Sequence, residues 1–252
     1  MIEILILSVV QGITEFLPIS SSSHLILVSK FFVFDNQNLS IDVSLHIGSF
    51  LAVLVYFKND IFDFVKNKEL LFKIIISSFP VMIVGYLLIE LNLINQLRNV
   101  ETIGWMTIVF GIVLYISDKF KCSKKIEKNF NYKSAIIIGV IQILSLVPGV
   151  SRSGITISAA RILNFERVDS AKISFLLSIP TLAAVSFFGL NNLFMSGDFN
   201  FSIINIFSIF LSFFFSLITI KFFLKYVKKF SLNIFVIYRI ILGVIILMAA
   251  YL

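Results

Sequence analysis

Apolar residues in this chain come in runs as long as a bilayer core is thick, and that spacing leaves few architectures open. Six segments qualify as helical crossings: roughly Ser40–Phe57, Leu70–Leu91, Thr102–Ser117, Ser170–Leu190, Ser202–Leu224 and Ile234–Leu252. About 20 helical residues cross a hydrocarbon core of about 30 Å. With 58% hydrophobic and 14% charged residues and a mean hydropathy of +1.01, the chain has no polar stretch long enough to fold apart from those spans. It reads as one all-α integral membrane domain over residues 1–252. Glu3 stands where a secretory signal would be basic, so the first apolar helix is expected to stay in the mature protein. The single cysteine, Cys122, lies in a lysine-rich loop, which excludes a disulfide framework or a zinc cluster within one chain.

Two further apolar regions are broken in the middle. Ile2–Thr14 gives only about 20 Å of helix before QGITEFLPISSSSH (Gln11–His24) interrupts it, and Leu25–Phe34 then resumes. Ser134–Leu163 has the same shape around LVPGVSRSGIT. Neither arm of either region spans alone, so both read as re-entrant helical hairpins. Irregular backbone at membrane depth survives only where protein or a water-filled cavity surrounds it, so the two tips are expected to line a cavity.

Threading the chain in this way gathers seventeen of its 21 Lys and Arg residues into the loops near 58–73, 119–133, 161–172 and 221–229. The opposite face, with both termini and the loops near 35–40, 92–101 and 191–200, holds Lys30 and Arg98. Positive charge marks the cytoplasmic side, which puts both termini outside. The net charge of +7 is thus a topology signal, and no nucleic-acid partner is expected.

The chain also repeats. Aligning Pro18 with Pro148 sets Ser21 opposite Ser151, and WMTIVFGIVLY near residue 105 resembles IYRIILGVIIL near 237, with Gly111 opposite Gly243. Each copy (about 1–118 and 133–252, joined by a loop at about 119–132) is a hairpin plus three crossings. An odd number of crossings inverts the second copy, so the tips enter from opposite faces and meet near the midplane.

Ionisable groups at that depth cost roughly 2.5–3.5 kcal/mol on insertion scales, so each needs a partner or a task. Arg152, in PGVSRSG, sits where glycine and proline expose backbone N–H groups beside Ser151 and Ser153, a setting suited to phosphate. Glu15 supplies the opposite charge. It suits a divalent cation bridging phosphate oxygens, or a general base, with a salt bridge to Arg152 as the plain structural alternative. Gln11, four residues earlier, shares its helical face and offers only a carbonyl oxygen. His24 reads as a proton donor or a nucleophile, Ser21 as the functional serine of its run, and Arg239, about one turn inside the last span, as a further phosphate contact. Some of Ser20 to Ser23 are expected to cap the next helix. His46 reads as a packing residue outside the site, and the 29 phenylalanines as a lipid-facing surface.

Together the two tips resemble the signatures of the bacterial undecaprenyl-diphosphate phosphatase family, also called the bacitracin-resistance protein family, over nearly the whole chain. The family's acidic motif falls on Gln11 and Glu15, its serine and histidine on Ser21 and His24, and its second motif on Pro148, Gly149, Ser151, Arg152, Ser153 and Thr156. The resemblance implies hydrolysis of the C55 lipid diphosphate to the monophosphate and inorganic phosphate, at an outward-facing site in the bacterial inner membrane. It also implies a divalent metal ion (Mg2+ or Ca2+, held by Glu15 and Gln11), recycling of the cell-wall carrier lipid, and bacitracin resistance. Ser22 and Ser23 stand where the family usually has Thr-Gly. Whether Ser21, His24 or water attacks phosphorus stays open at this level. The competing reading is a lipid or anion transporter, or a flippase, using the same inverted-repeat cavity.

Overall fold

The computed structural model describes residues 2–31, 39–66, 68–91, 93, 97–195 and 202–251. They form helices α1 (Ile2–Thr14), α2 (Ser21–Phe31), α3 (Leu39–Tyr56), α4 (Lys58–Lys66), α5 (Lys68–Glu90), α6 (Val100–Asp118), α7 (Ile126–Asn129), α8 (Tyr132–Gln142), α9 (Arg152–Ile162), α10 (Arg167–Met195), α11 (Ile203–Val227) and α12 (Asn233–Tyr251). A short 3-10 turn, Ile143–Leu146, extends α8. Six of these helices, α3, α5, α6, α10, α11 and α12, are long and apolar enough to span a bilayer. They match the six expected crossings. The two interrupted regions are broken helices, α1 with α2 and α8 with α9, as the polar clusters require. The expected loop near 35–40 and parts of those near 92–101 and 191–200 lie outside the described residues.

Helix starts follow side-chain chemistry. Asn99 accepts a hydrogen bond from Thr102 N ahead of α6, and Asn131 from Ser134 N ahead of α8, each satisfying an amide that the first turn leaves without a partner. At α11, Ser202 and Asn205 form a reciprocal capping box. Helix α10 runs 29 residues, or about 44 Å, and begins earlier than the expected crossing. The reason is electrostatic: Arg167 in its first turn bonds Asp118 at the end of α6, at 2.6 and 3.0 Å.

Asp118 is the node of the lysine-rich end. Its carboxylate also accepts from Leu232 N at 3.0 Å, and Arg161 at the end of α9 donates to the Asp118 and Phe120 carbonyls. Residues 118–122, 161, 166–168 and 227–228 line one 430 Å³ cavity, and Lys172 pairs with Asp60 of α4 at 2.6 Å. All four basic loops therefore meet at one end of the bundle, as the charge pattern requires.

The central packing pairs α3 with both α10 and α11, α6 with α12, α1 with α11, and α8 with α5. Between α3 and α11 the contact is polar and close: Ser49 lies 3.2 Å from Ser212 Oγ and accepts from Ser216 at 3.1 Å, while Asn205 reaches Ser40 and Ser44. Small hydroxyl residues let the two backbones approach where lipid provides no hydrophobic drive. The phenylalanines are only partly a lipid-facing coat. Phe79, Phe187 and Phe210 are exposed, whereas Phe16, Phe57, Phe175 and Phe223 are buried. These four stack edge-on or tilted beneath the first tip, with Phe16 and Phe175 centroids 5.4 Å apart. The correction has a simple cause, since a bundle this wide has an interior of its own to fill.

Candidate active site

At the first tip, α1 runs out at Thr14, and Glu15 N still bonds Gln11 O at 3.0 Å, so Glu15 completes the last turn. Pro18 brings no N–H, and the chain re-enters helix through Ser20, which holds φ +76° ahead of α2. The second tip repeats this solution. After the 3-10 turn, Gly149 at φ +97° and Ser151 at φ +70° turn the chain into α9. Gly149 is required twice over, by its left-handed backbone and because a Cβ there would lie 2.9 Å from Met106 Cβ. Ser151 caps α9 by accepting from Gly154 N at 3.1 Å. Ser20 and Ser151 are thus both left-handed residues immediately ahead of a helix.

The tips meet. Arg152 Nη2 donates to Glu15 Oε1 at 2.7 Å, and its Nη1 to Ser174 O of α10 at 3.2 Å. The other Glu15 oxygen accepts from Ser21 Oγ at 2.7 Å and from Gln11 Nε2 at 3.1 Å. Ser153 Oγ crosses to Leu17 O at 2.7 Å, and Thr156 donates to Ser174 Oγ, also at 2.7 Å. Glu15 is 8% exposed and the Arg152 side chain 14%, so this is a nearly dry ion pair with charge-assisted bonds on every side. Gln11, Glu15, Ser21, Arg152, Ser153 and Thr156 therefore form one connected group, drawn from residues 137 apart in the case of Glu15 and Arg152.

His24 stands beside this group with both ring nitrogens engaged, Nδ1 with Ser20 O at 2.7 Å and Nε2 with Tyr238 Oη at 2.6 Å. The carbonyl can only accept, so the Nδ1–H tautomer fits and Nε2 takes the tyrosine hydrogen. Tyr238, whose ring also stacks on His24, was not among the expected site residues. Ser174 was likewise missed, being one serine in an apolar span. His46, set outside the site by the sequence, bonds Asp42 O through Nδ1 at 2.8 Å.

Two expected substrate contacts make close contacts within the protein itself. Gly149 packs against α6, where its nearest neighbours are Ile103 and Met106. Arg239 is fully buried, and all of its N–H groups go to backbone carbonyls: Nε to Thr107, Nη1 to Pro18 and Val150, Nη2 to Met106 and Gly149, at 2.7 to 3.4 Å. With every donor committed, its guanidinium has none left for a phosphate.

For a divalent ion the donors are all oxygen: the Glu15 carboxylate, the Ser21 hydroxyl, and Gln11 Oε1, which is buried with no hydrogen-bond partner. Among the described residues no cluster of three acidic, histidine or cysteine side chains exists. This set fits a hard cation that takes its remaining ligands from phosphate and water, and does not form an all-protein cage.

The chain matches the family described as bacitracin resistance protein BacA over residues 4–245. It is 52% identical to an undecaprenyl-diphosphatase of Pelagibacter ubique (strain HTCC1062), covering 99% of this chain and 98% of that one. It is 41% identical to one of Campylobacter curvus (strain 525.92), over 98% and 97%. A third, from Jannaschia sp. (strain CCS1), is 37% identical over 98% and 97%.

Proposed function

This chain belongs to the bacitracin resistance protein BacA family, and we propose that the junction of its two tips is where it cleaves its substrate. It is an undecaprenyl-diphosphatase of the membrane, splitting the lipid diphosphate into undecaprenyl phosphate and inorganic phosphate. The reading of the site rests on one observation above the others: Ser21 Oγ, Glu15 and Arg152 form a chain of two 2.7 Å hydrogen bonds across the tips.

In this reading Arg152 and the amides at the start of α9 bind the terminal phosphate, because the guanidinium fork and a helix N-terminus both favour an anion. Glu15 takes the Ser21 proton. Ser21 Oγ then bonds the terminal phosphorus as the anhydride P–O bond breaks, and undecaprenyl phosphate leaves with that bonding pair and with the proton Glu15 had taken, which frees the carboxylate for the second step. Water next attacks the phosphoserine, its proton passing to Glu15, and inorganic phosphate leaves while Ser21 recovers its hydrogen. His24, held by Ser20 and Tyr238, orients the start of α2. A divalent ion on Glu15 and Gln11 would neutralise phosphate charge.

The same reading takes the fold as an inverted repeat, supported by the matched packing of α1 on α11 and of α8 on α5 and by the shared left-handed serines. By the positive-inside rule the lysine-rich end is cytoplasmic, with both termini and the substrate entrance outside. Phosphate release from a short polyprenyl diphosphate by the purified protein, with and without chelator, tests the chemistry. Release should need the metal and vanish in Arg152→Ala; full turnover by folded Arg152→Ala refutes the site.

A further inference from the structure

Arg239 lies outside both tips, on α12, yet it touches both. It donates to the carbonyls of Pro18 in the first tip, of Gly149 and Val150 in the second, and of Met106 and Thr107 in α6. Among the described hydrogen bonds, the three tip carbonyls have no other donor. Nor does Arg239 pair with a carboxylate among the described residues. A buried cation that meets only backbone is costly unless every donor is satisfied, and here all five are.

We propose that Arg239 is a positioning residue for hydrolysis, a clamp that holds the two tips in register and turns their carbonyl oxygens away from the diphosphate. The proposal rests on the reading of the tip junction as the active site. Two consequences of the geometry support it. A peptide unit is planar and trans, so pinning the Val150 carbonyl to Arg239 aims the Ser151 N–H the opposite way; Ser151 N–H has no acceptor among the described bonds. Both tips are also fixed to one rigid group, which sets the distance across which Arg152 reaches Glu15. Carbonyl oxygens left facing the diphosphate would repel its charge, and Arg239 keeps three of them occupied.

The test compares Arg239→Lys, Gly111→Ala and Arg152→Ala in the purified full-length protein, reading kcat, KM and thermal unfolding. Lysine keeps the charge but cannot bridge five carbonyls, so kcat should fall about 100-fold, with KM within about threefold, because misplacement costs the transition state more than the bound ground state. Gly111→Ala reaches the clamp from behind. A Cβ there would lie 3.2 Å from Arg239 Cβ and 3.6 Å from its Nε, shifting the guanidinium by tenths of an ångström while leaving both tips untouched. It should lower kcat about threefold or more in a protein that still folds, since alanine favours helix over glycine while the 3.2 Å contact asks only a small adjustment. Arg239→Lys with kcat within about threefold of wild type overturns the clamp, as does a raised KM at unchanged kcat, which marks direct substrate contact. If Arg239→Lys does not fold, Gly111→Ala decides, and unchanged kcat there overturns the proposal. Activity retained by Arg152→Ala would instead sink the site assignment on which the clamp depends.

Discussion

The pair at the centre of the site permits a double-mutant cycle that separates holding the fold from doing chemistry. Glu15 and Arg152 are 2.7 Å apart and almost fully buried, so Glu15→Gln leaves the guanidinium without its carboxylate. It also presents an amide N–H either to Arg152 or to Ser21, both of which are donors at that carboxylate. Removing one partner of a buried ion pair costs about 3–5 kcal/mol, whereas removing both is close to neutral when the shapes are kept. Glu15→Gln and Arg152→Gln should therefore each destabilise by about 3 kcal/mol. The double variant should cost no more than about 1–2 kcal/mol, a coupling of about 4 kcal/mol. Unfolding in detergent by denaturant titration measures this directly. Turnover should behave differently, with both singles and the double all reduced by at least about 10²-fold, because regained stability restores neither the base nor the phosphate counter-charge. Additive stability losses would refute the coupling drawn from the geometry. Turnover recovered in the double variant would show the pair to be a structural tie alone.

Further expectations follow from single contacts. Ser21→Ala removes the hydroxyl that donates to Glu15 and should cut kcat by about 10³-fold or more without loss of fold; in the wild type, rapid quench with phosphorus-labelled substrate should trap label on Ser21, and a fully active alanine variant would leave water as the attacking group. His46→Gln should keep turnover within about threefold, since the ring is anchored to its own helix at Asp42 O; a collapse matching Arg152→Ala would bring α3 into the site. Gly139→Ala would place a Cβ 2.8 Å from Ser77 Cα where α8 crosses α5, and should lower stability by about 1–3 kcal/mol with KM unchanged, as read by thermal unfolding beside a kinetic assay.

What could be read in the sequence, and what could not, follows from the range of each interaction. Span length and hairpin breaks are local: an apolar run either reaches across the bilayer or breaks ahead of Pro18 or Pro148, and α1 ends at Thr14 and the 3-10 extension of α8 at Leu146. The members of the polar cluster were legible for the same reason, since a carboxylate or guanidinium inside an apolar stretch is conspicuous against its neighbours. Partner choice is a different matter. Arg239 is as conspicuous in sequence as Arg152, and only the tertiary packing shows that its donors are consumed by carbonyls, which every residue has and no sequence marks. Tyr238 and Ser174 lie among many hydroxyl residues in spans, and the fold alone singles them out.

The two arginines show how one side chain serves two ends inside a bilayer. Each must offset the cost of an ion in low dielectric, and each does so with the partners it reaches. Arg152 has a carboxylate, a partner that an incoming phosphate can replace charge for charge, so its engagement is exchangeable and suits a binding group. Arg239 has five carbonyls, each weaker than a carboxylate and all fixed to backbone. To leave them for a phosphate it would have to break five bonds and strand three tip carbonyls, at about 1–3 kcal/mol for each stranded group. In the proposed site, phosphate would therefore compete for the first arginine and not for the second. The difference lies in what surrounds each guanidinium.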